Sequence, residues 1–130
     1  MRRLVIDVQP LEYAVARLEP DQAVPSELFS HPGQVLVSVT RTQREVSIIC
    51  PVKFAPAGAR VEADWRLLSV RGPLAFTLTG IIAALASELA AAGVALFTLS
   101  TFETDHVLVK SDDLTRAINA LQAAGHDVSM

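Results

Sequence analysis

In the second half of the chain the apolar positions change period from one stretch to the next, and each change marks an element. Residues 64–71, "DWRLLSVR", read as a strand that Gly72-Pro73 breaks. Leu78, Ile81, Ile82, Leu85 and Leu89 then recur at helical spacing and form one stripe. Thr77 or Thr79 is placed to cap the start of this helix, and Gly93 fits the position just past its end. "VALFTL" at 94–99 and "HVLVK" at 106–110 are continuous apolar runs of strand length. Ser111 is expected to cap a second helix, with Asp112 and Asp113 in its first turn, where carboxylates suit the helix dipole. Its stripe is Leu114, Ala117, Ile118 and Leu121, and Gly125 ends it. "HDV" at 126–128 is a short last strand. The order is β-α-β-β-α-β, a two-layer α+β arrangement with helices on one face of an antiparallel sheet.

The first half has the strands without the helices. "LVIDV" (4–8) and "EYAVARL" (12–18) read as two strands separated by Gln9-Pro10. "PSELFS" (25–30) has room for one helical turn with Pro25 at its first position. "QVLVSVT" (34–40) and "EVSIIC" (45–50) make a hairpin through residues 41–44, and "PVKFAPAGAR" (51–60) is loop with at most one turn. This half therefore reads as a degenerate copy of the second. The predicted organisation is two half-size modules, residues 1–60 and 61–130, meeting near residue 60.

Composition narrows the classes. The chain has 130 residues, of which 51% are hydrophobic and 19% charged, which suits a folded domain and not a disordered segment. The formal net charge is −3 and no Lys/Arg cluster interrupts it, so no nucleic-acid partner is expected. The lone Cys50 allows no internal disulfide and points to a reducing compartment or to indifference about redox state; a cytoplasmic location is expected. The apolar run after Arg2-Arg3 stops at Asp7, too short for a signal peptide. Residues 81–99 approach spanning length, but Glu88 near their centre would cost about 2.5 kcal/mol or more in a bilayer, so no membrane partner is expected.

The least ordinary stretch is "TLSTFETDHVLVK", 98–110. A polar elbow at residues 100–105 joins two apolar strands with three hydroxyls, two carboxylates and a ring. A tight hairpin needs only two residues, usually including Gly or Asn. One reading makes the elbow a ligand wall, with Asp105 meeting an ammonium and Phe102 covering an apolar part. The other makes it a solvated loop whose hydroxyls cap strand ends. Gly80, expected in the first turn of the first helix, either lets a ligand carboxylate approach free N–H groups or packs helix closely on strand.

Catalytic readings find little support. Asp105 and His106 are adjacent in a strand, so they point to opposite faces and cannot readily share a proton. The histidines at 31, 106 and 126 lack metal-ligand spacing, no Gly-rich phosphate loop occurs, and Cys50 reads as a packed thiol. The chain is expected not to be an enzyme and to need no cofactor or metal.

"VSVTRTQREVSIICP", "DWRLLSVRGPLAFTLTGIIAALASELAAAGV" and "LSTFETDHVLVKSDDLTRAINAL" together resemble tandem ACT-domain proteins related to the cytosolic arginine sensors of the CASTOR type. The resemblance runs from about residue 11 to 128. It implies two ferredoxin-like βαββαβ modules with antiparallel sheets, the first degenerate, and a small molecule, most often an amino acid, held at an interface between modules. Carried over residue by residue, it places ligand contacts at Gly80 and Ile81, at Val94, Ala95 and Leu96, and at Thr101, Phe102 and Asp105. Ala95 replaces a hydroxyl residue of the arginine sensors, which argues against arginine itself. Those sensors carry four modules, so a homodimer of this chain would be needed to rebuild the comparable interface. The expected function is an amino-acid-binding regulator or sensor. The alternative is a dimerisation or protein-interaction module with no ligand.

Overall fold

The computed structural model describes residues 3–31, 33, 35–73 and 80–130. Seven strands and two α-helices alternate along them: β1 Val5–Leu18, β2 Ser38–Arg41, β3 Val46–Pro51, β4 Arg60–Val70, α1 Ile81–Ala91, β5 Leu96–Ser100, β6 Asp105–Lys110, α2 Leu114–Ala123 and β7 Asp127–Ser129. Single 3₁₀ turns occupy Ser26–Phe29, Val52–Phe54 and Ser111–Asp113. From β4 onward the order is the expected β-α-β-β-α-β. The chain divides into a larger compact unit, Met1–Pro10 with Arg66–Met130, and a smaller one, Leu11–Trp65. The first ten residues thus join the second-half unit, whereas the sequence suggested a single division near residue 60.

In the larger unit the strands follow the order β7-β1-β4-β6-β5, with β5 at an edge. β5 pairs antiparallel with β6, Leu96 opposite Val109 and Ser100 opposite Asp105. β7 pairs parallel with β1, Ile6 opposite Val128. Two hydrogen bonds fix that end: Leu4 N–H donates to the side-chain Nδ1 of buried His126 (3.1 Å), and Asp127 N–H donates to the Leu4 carbonyl (2.9 Å). Strand alternation then sorts the faces. Leu4, Ile6, Val8, Leu68, Val70, Val107 and Val109 point one way and meet Ile81, Leu85 and Leu89 of α1 and Leu114, Ala117 and Leu121 of α2. These are the apolar stripes predicted from spacing. Leu78, Thr77 and Thr79 lie outside the described residues.

Both helices stop by the same device. At the end of α1, Gly93 has φ 75°, its N–H reaches the Ala90 carbonyl, and Val94 N–H reaches Leu89. At the end of α2, Gly125 has φ 97°, its N–H reaches Gln122, and His126 N–H reaches Leu121. Each is a Schellman motif, which uses a left-handed residue to satisfy the last carbonyls. Ser111, the expected cap, is the first residue of a 3₁₀ turn that runs into α2, and the residue just before α2 is Asp113, which makes no side-chain cap bond.

In the smaller unit β3 lies between β2 and β1, antiparallel to both, with Ala16 opposite Ile48 and Val39 also opposite Ile48. Ala16, Leu18, Val46, Ile48 and Cys50 build its core with Leu28 from the 3₁₀ turn. Tyr13 is buried and its hydroxyl accepts the Leu36 N–H at 3.1 Å. The two strands expected on either side of Gln9-Pro10 are one continuous strand. Along β1 the partner changes from β7 at Val5–Asp7 to β3 at Tyr13–Leu18, and Pro10, with no N–H to donate, falls in the gap.

No helix among the described residues is long and apolar enough to cross a membrane: the stretch weighed as a span is an 11-residue helix followed by a strand.

Candidate functional site

The elbow is tighter than its length in sequence suggests. Ser100 pairs with Asp105, and Thr101 N–H donates to the Thr104 carbonyl at 2.9 Å, so Phe102 and Glu103 alone form the tip. Neither is Gly or Asn. The hydroxyls around the tip are used internally. Thr101 Oγ1 donates to the Thr104 carbonyl (3.2 Å), Thr104 Oγ1 to the Val70 carbonyl (2.6 Å), and Ser100 Oγ to Asp105 Oδ1 (2.6 Å). The capping reading of those hydroxyls is therefore correct. The tip residues Phe102, 79% exposed, and Glu103 face solvent, and the Asp105 carboxylate beside them is half-buried.

Gly80 is the residue before α1 and not, as expected, in its first turn. Its φ is 80°, the left-handed region that L side chains avoid, and a Cβ there would meet nothing within 4 Å. Backbone conformation, not close packing, explains this glycine. It caps with no side chain, so the first N–H groups of α1 receive no bond from that residue.

The expected contact residues separate into two groups within one chain. α1 rises about 16 Å from Gly80 over its 11 residues, and β5 returns a similar distance. Gly80, Ile81 and the elbow residues Thr101, Phe102 and Asp105 therefore share one end of the larger unit. Val94, Ala95 and Leu96 lie at the other. Ile81 and Val94 are core residues, Leu96 packs against the same cluster, and of residues 94–96 only Ala95 is exposed.

A polar line on the sheet face away from the helices escaped the sequence reading. Gln9 Nε2 donates to Ser69 Oγ at 3.4 Å, and Ser69 Oγ lies 2.8 Å from His106 Nδ1. Ser69 is buried, and burial pulls the His106 pKa below its ordinary value, with the Asp105 charge opposing in part. The three residues come from three strands, and only the register of the sheet reveals them. Asp105 bonds Ser100 while His106 bonds Ser69, as opposite faces require. Cys50 is fully buried and burial pushes its thiol pKa up to about 11, which disfavours a thiolate. No metal-ligating cluster occurs among the described residues.

Two open hollows lie in the smaller unit. One of about 400 Å³ is lined by residues of the turn Ser26–Phe29, His31 and the segment 53–57; another of about 240 Å³ adjoins Leu28 and His31.

Comparison with known proteins places this geometry. Residues 60–123 match the ACT-domain model, and residues 12–57 match a model for an N-terminal domain. A 59-residue stretch is 42% identical to the cytosolic arginine sensor for mTORC1 subunit 1 of Homo sapiens; the match covers 45% of this chain and spans only 18% of that relative's length. A crystal structure of protein Atu0741 from Agobacterium tumefaciens is 36% identical and superposes with a TM-score of 0.87 over 98% of this chain and 93% of its own. The ligand-free regulatory subunit of aspartate kinase from Thermus thermophilus shares the fold, with a TM-score of 0.62 over 92% of this chain and 96% of its own at 14% identity. The part of the chain that is similar to an ACT domain is therefore residues 60–123, from β4 to α2.

Proposed function

We propose that this chain is an amino-acid-binding regulatory protein whose ligand is held by the ACT domain at an interface between two copies. The observation that carries the reading is the elbow of the ACT domain, which keeps Asp105 half-exposed beside a projecting Phe102 and at the same end of the unit as the helix start at Gly80. A free amino acid carries one cation and one anion. Asp105, oriented by Ser100, suits the ammonium, and the first N–H groups of α1 suit the carboxylate. Support comes from the match of residues 60–123 to the ACT-domain model and from the 42% identity of a 59-residue stretch to an arginine sensor. Ala95 supplies no hydroxyl, which favours a ligand with a less polar side chain than arginine.

The split of the contact residues motivates the second copy. β5 is an edge strand with an exposed Phe97. Antiparallel pairing of two β5 edges about a two-fold axis would bring residues 94–96 of one copy toward residues 101–105 of the other. Both groups would then line one site, twice per dimer. The degenerate first module, 3₁₀ turns replacing its helices, would act as a companion to the ACT domain in a cytoplasmic sensor without catalytic activity of its own.

A thermal-shift screen of the twenty amino acids, with light scattering alongside, tests the proposal. A ligand at 100 times its Kd adds about 2.7 kcal/mol of stability. Asp105→Ala should weaken the hit about tenfold, equivalent to 1.4 kcal/mol, and leave the fold intact. Glu103→Ala, at the turn tip, should do less. If no amino acid stabilises the protein, the internal use of the elbow hydroxyls favours the second reading, a dimerisation module with no ligand.

A further inference from the structure

The smaller unit holds a hollow that the ACT-domain reading does not use. Its walls come from two 3₁₀ turns, Ser26–Phe29 and Val52–Phe54, and from the chain just after each. The two turns together bury one apolar side chain, Leu28, where each helix of the larger unit buries three. Leu28, 2% exposed, forms the base, and Phe54, Ala55 and Pro56 continue the apolar wall. The hollow, about 400 Å³, lies within the range of small-molecule sites.

Its rim is not random. The His31 ring stacks on Phe54 with centroids 3.3 Å apart and planes 15° from parallel. Lys53 Nζ lies 5.2 Å from the Phe54 ring centre, which keeps a cation at the lip. Glu27, on the other turn, supplies an anion. The two walls therefore carry charges of opposite sign, one each, above an apolar base.

We infer that this cleft is a second ligand site, independent of the elbow, for a small zwitterion with a short aliphatic body. The ligand's carboxylate pairs with Lys53 and its ammonium with Glu27, while its body covers Leu28 and Ala55. Two charge-assisted contacts on opposite lips reject a ligand that lacks either charge.

Amide NMR of the full chain tests this with L-leucine as probe, 4-methylpentanoate as the analogue without the ammonium, and 3-methylbutylamine as the analogue without the carboxylate. Leucine should shift the amides of residues 27–31 and 53–57, in the wild type and in Asp105→Ala alike. Each one-charge analogue should bind about tenfold more weakly. Lys53→Met and Glu27→Gln, both at exposed positions that leave the core intact, should each weaken leucine by a similar factor. Leucine shifts confined to Gly80 and residues 101–105, and lost in Asp105→Ala, would overturn the cleft while supporting the elbow. No shift at either place at tens of millimolar leucine also overturns it. Equal binding of the three probes would refute the zwitterion assignment.

Discussion

The two compact units run through the same alternation of strand, helical segment and strand, and differ in how much helix each was given. In the larger unit α1 and α2 lay three buried side chains each on the sheet and end in matching Schellman turns. In the smaller unit the corresponding segments are a four-residue and a three-residue turn, and only Leu28 among their residues is buried. Loop residues Val24, Val37, Ala55 and Ala59 pack where a helix stripe would. In the smaller unit the two short turns border an open hollow, whereas in the larger unit each helix lays a three-residue stripe on the sheet. Strand pairing is similar in kind in both.

Core truncation should separate the units most. Leu89 is fully buried, packs in the helix–sheet core and accepts the closing bond of the α1 Schellman turn. Leu89→Ala should cost about 4 kcal/mol, toward the upper end for a buried leucine. Leu28→Ala should cost about 2 kcal/mol, because a wall that opens to solvent relaxes into the space left behind. Urea unfolding of both variants measures the gap. A larger loss from Leu28 would mean that the short turns organise their unit as firmly as the helices do.

Next in size are the helix ends. Gly93 and Gly125 hold positive φ in open space, so alanine there meets backbone strain and no clash. Gly93→Ala and Gly125→Ala should each cost about 1 to 2 kcal/mol. Gly58, at φ 82° in the smaller unit, ends no helix, yet it carries the same strain. Gly58→Ala should cost a similar amount if conformation alone matters. A cost near zero would show that the loop re-forms around it, and would assign the penalty at 93 and 125 to the Schellman motif.

What could be read beforehand follows from range. The stripes of α1 and α2, the glycine stops and the strands after them are local patterns, and all were legible. The register that aligns Gln9, Ser69 and His106 is set by strands some 60 and 37 residues apart in sequence, and no local period carries it. Pro10 was misread as a break because its effect depends on which side of β1 is paired. The elbow hydroxyls were legible as caps of strand ends, but their partners were not, since the acceptor for Thr104 is the carbonyl of Val70 on another strand. The cleft between the short turns had one signal, the weakness of helical periodicity at 25–30 and 51–60. That signal shows where a helix is missing, not that charges of both signs border the gap.

The smallest expected effect is a pH dependence that belongs to one unit. His106 Nδ1, 2.8 Å from Ser69 Oγ, is suited to accept the hydroxyl proton, and burial lowers its pKa below the ordinary 6.5. The nearby carboxylate of Asp105 opposes that shift without reversing it. Between the lowered folded pKa and the unfolded value near 6.5, the unfolded chain binds more protons than the folded one. Stability therefore rises with pH across this window. The contribution is complete above about pH 6.5 and is lost as pH falls toward the folded pKa. In the smaller unit, burial raises the Tyr13 pKa above its ordinary 10, so its bond to Leu36 is unaffected in the same range. His106→Gln keeps an acceptor for Ser69 and removes the titration. Unfolding of wild type and variant, compared from neutral pH to about pH 5, should give a stability difference that is level near neutrality and moves against the wild type on acidification. Amide exchange should place the loosening in β4 and β6. A difference that stays constant across the series would mean that His106 does not titrate in this window, and that the polar line on the sheet is a fixed structural bond.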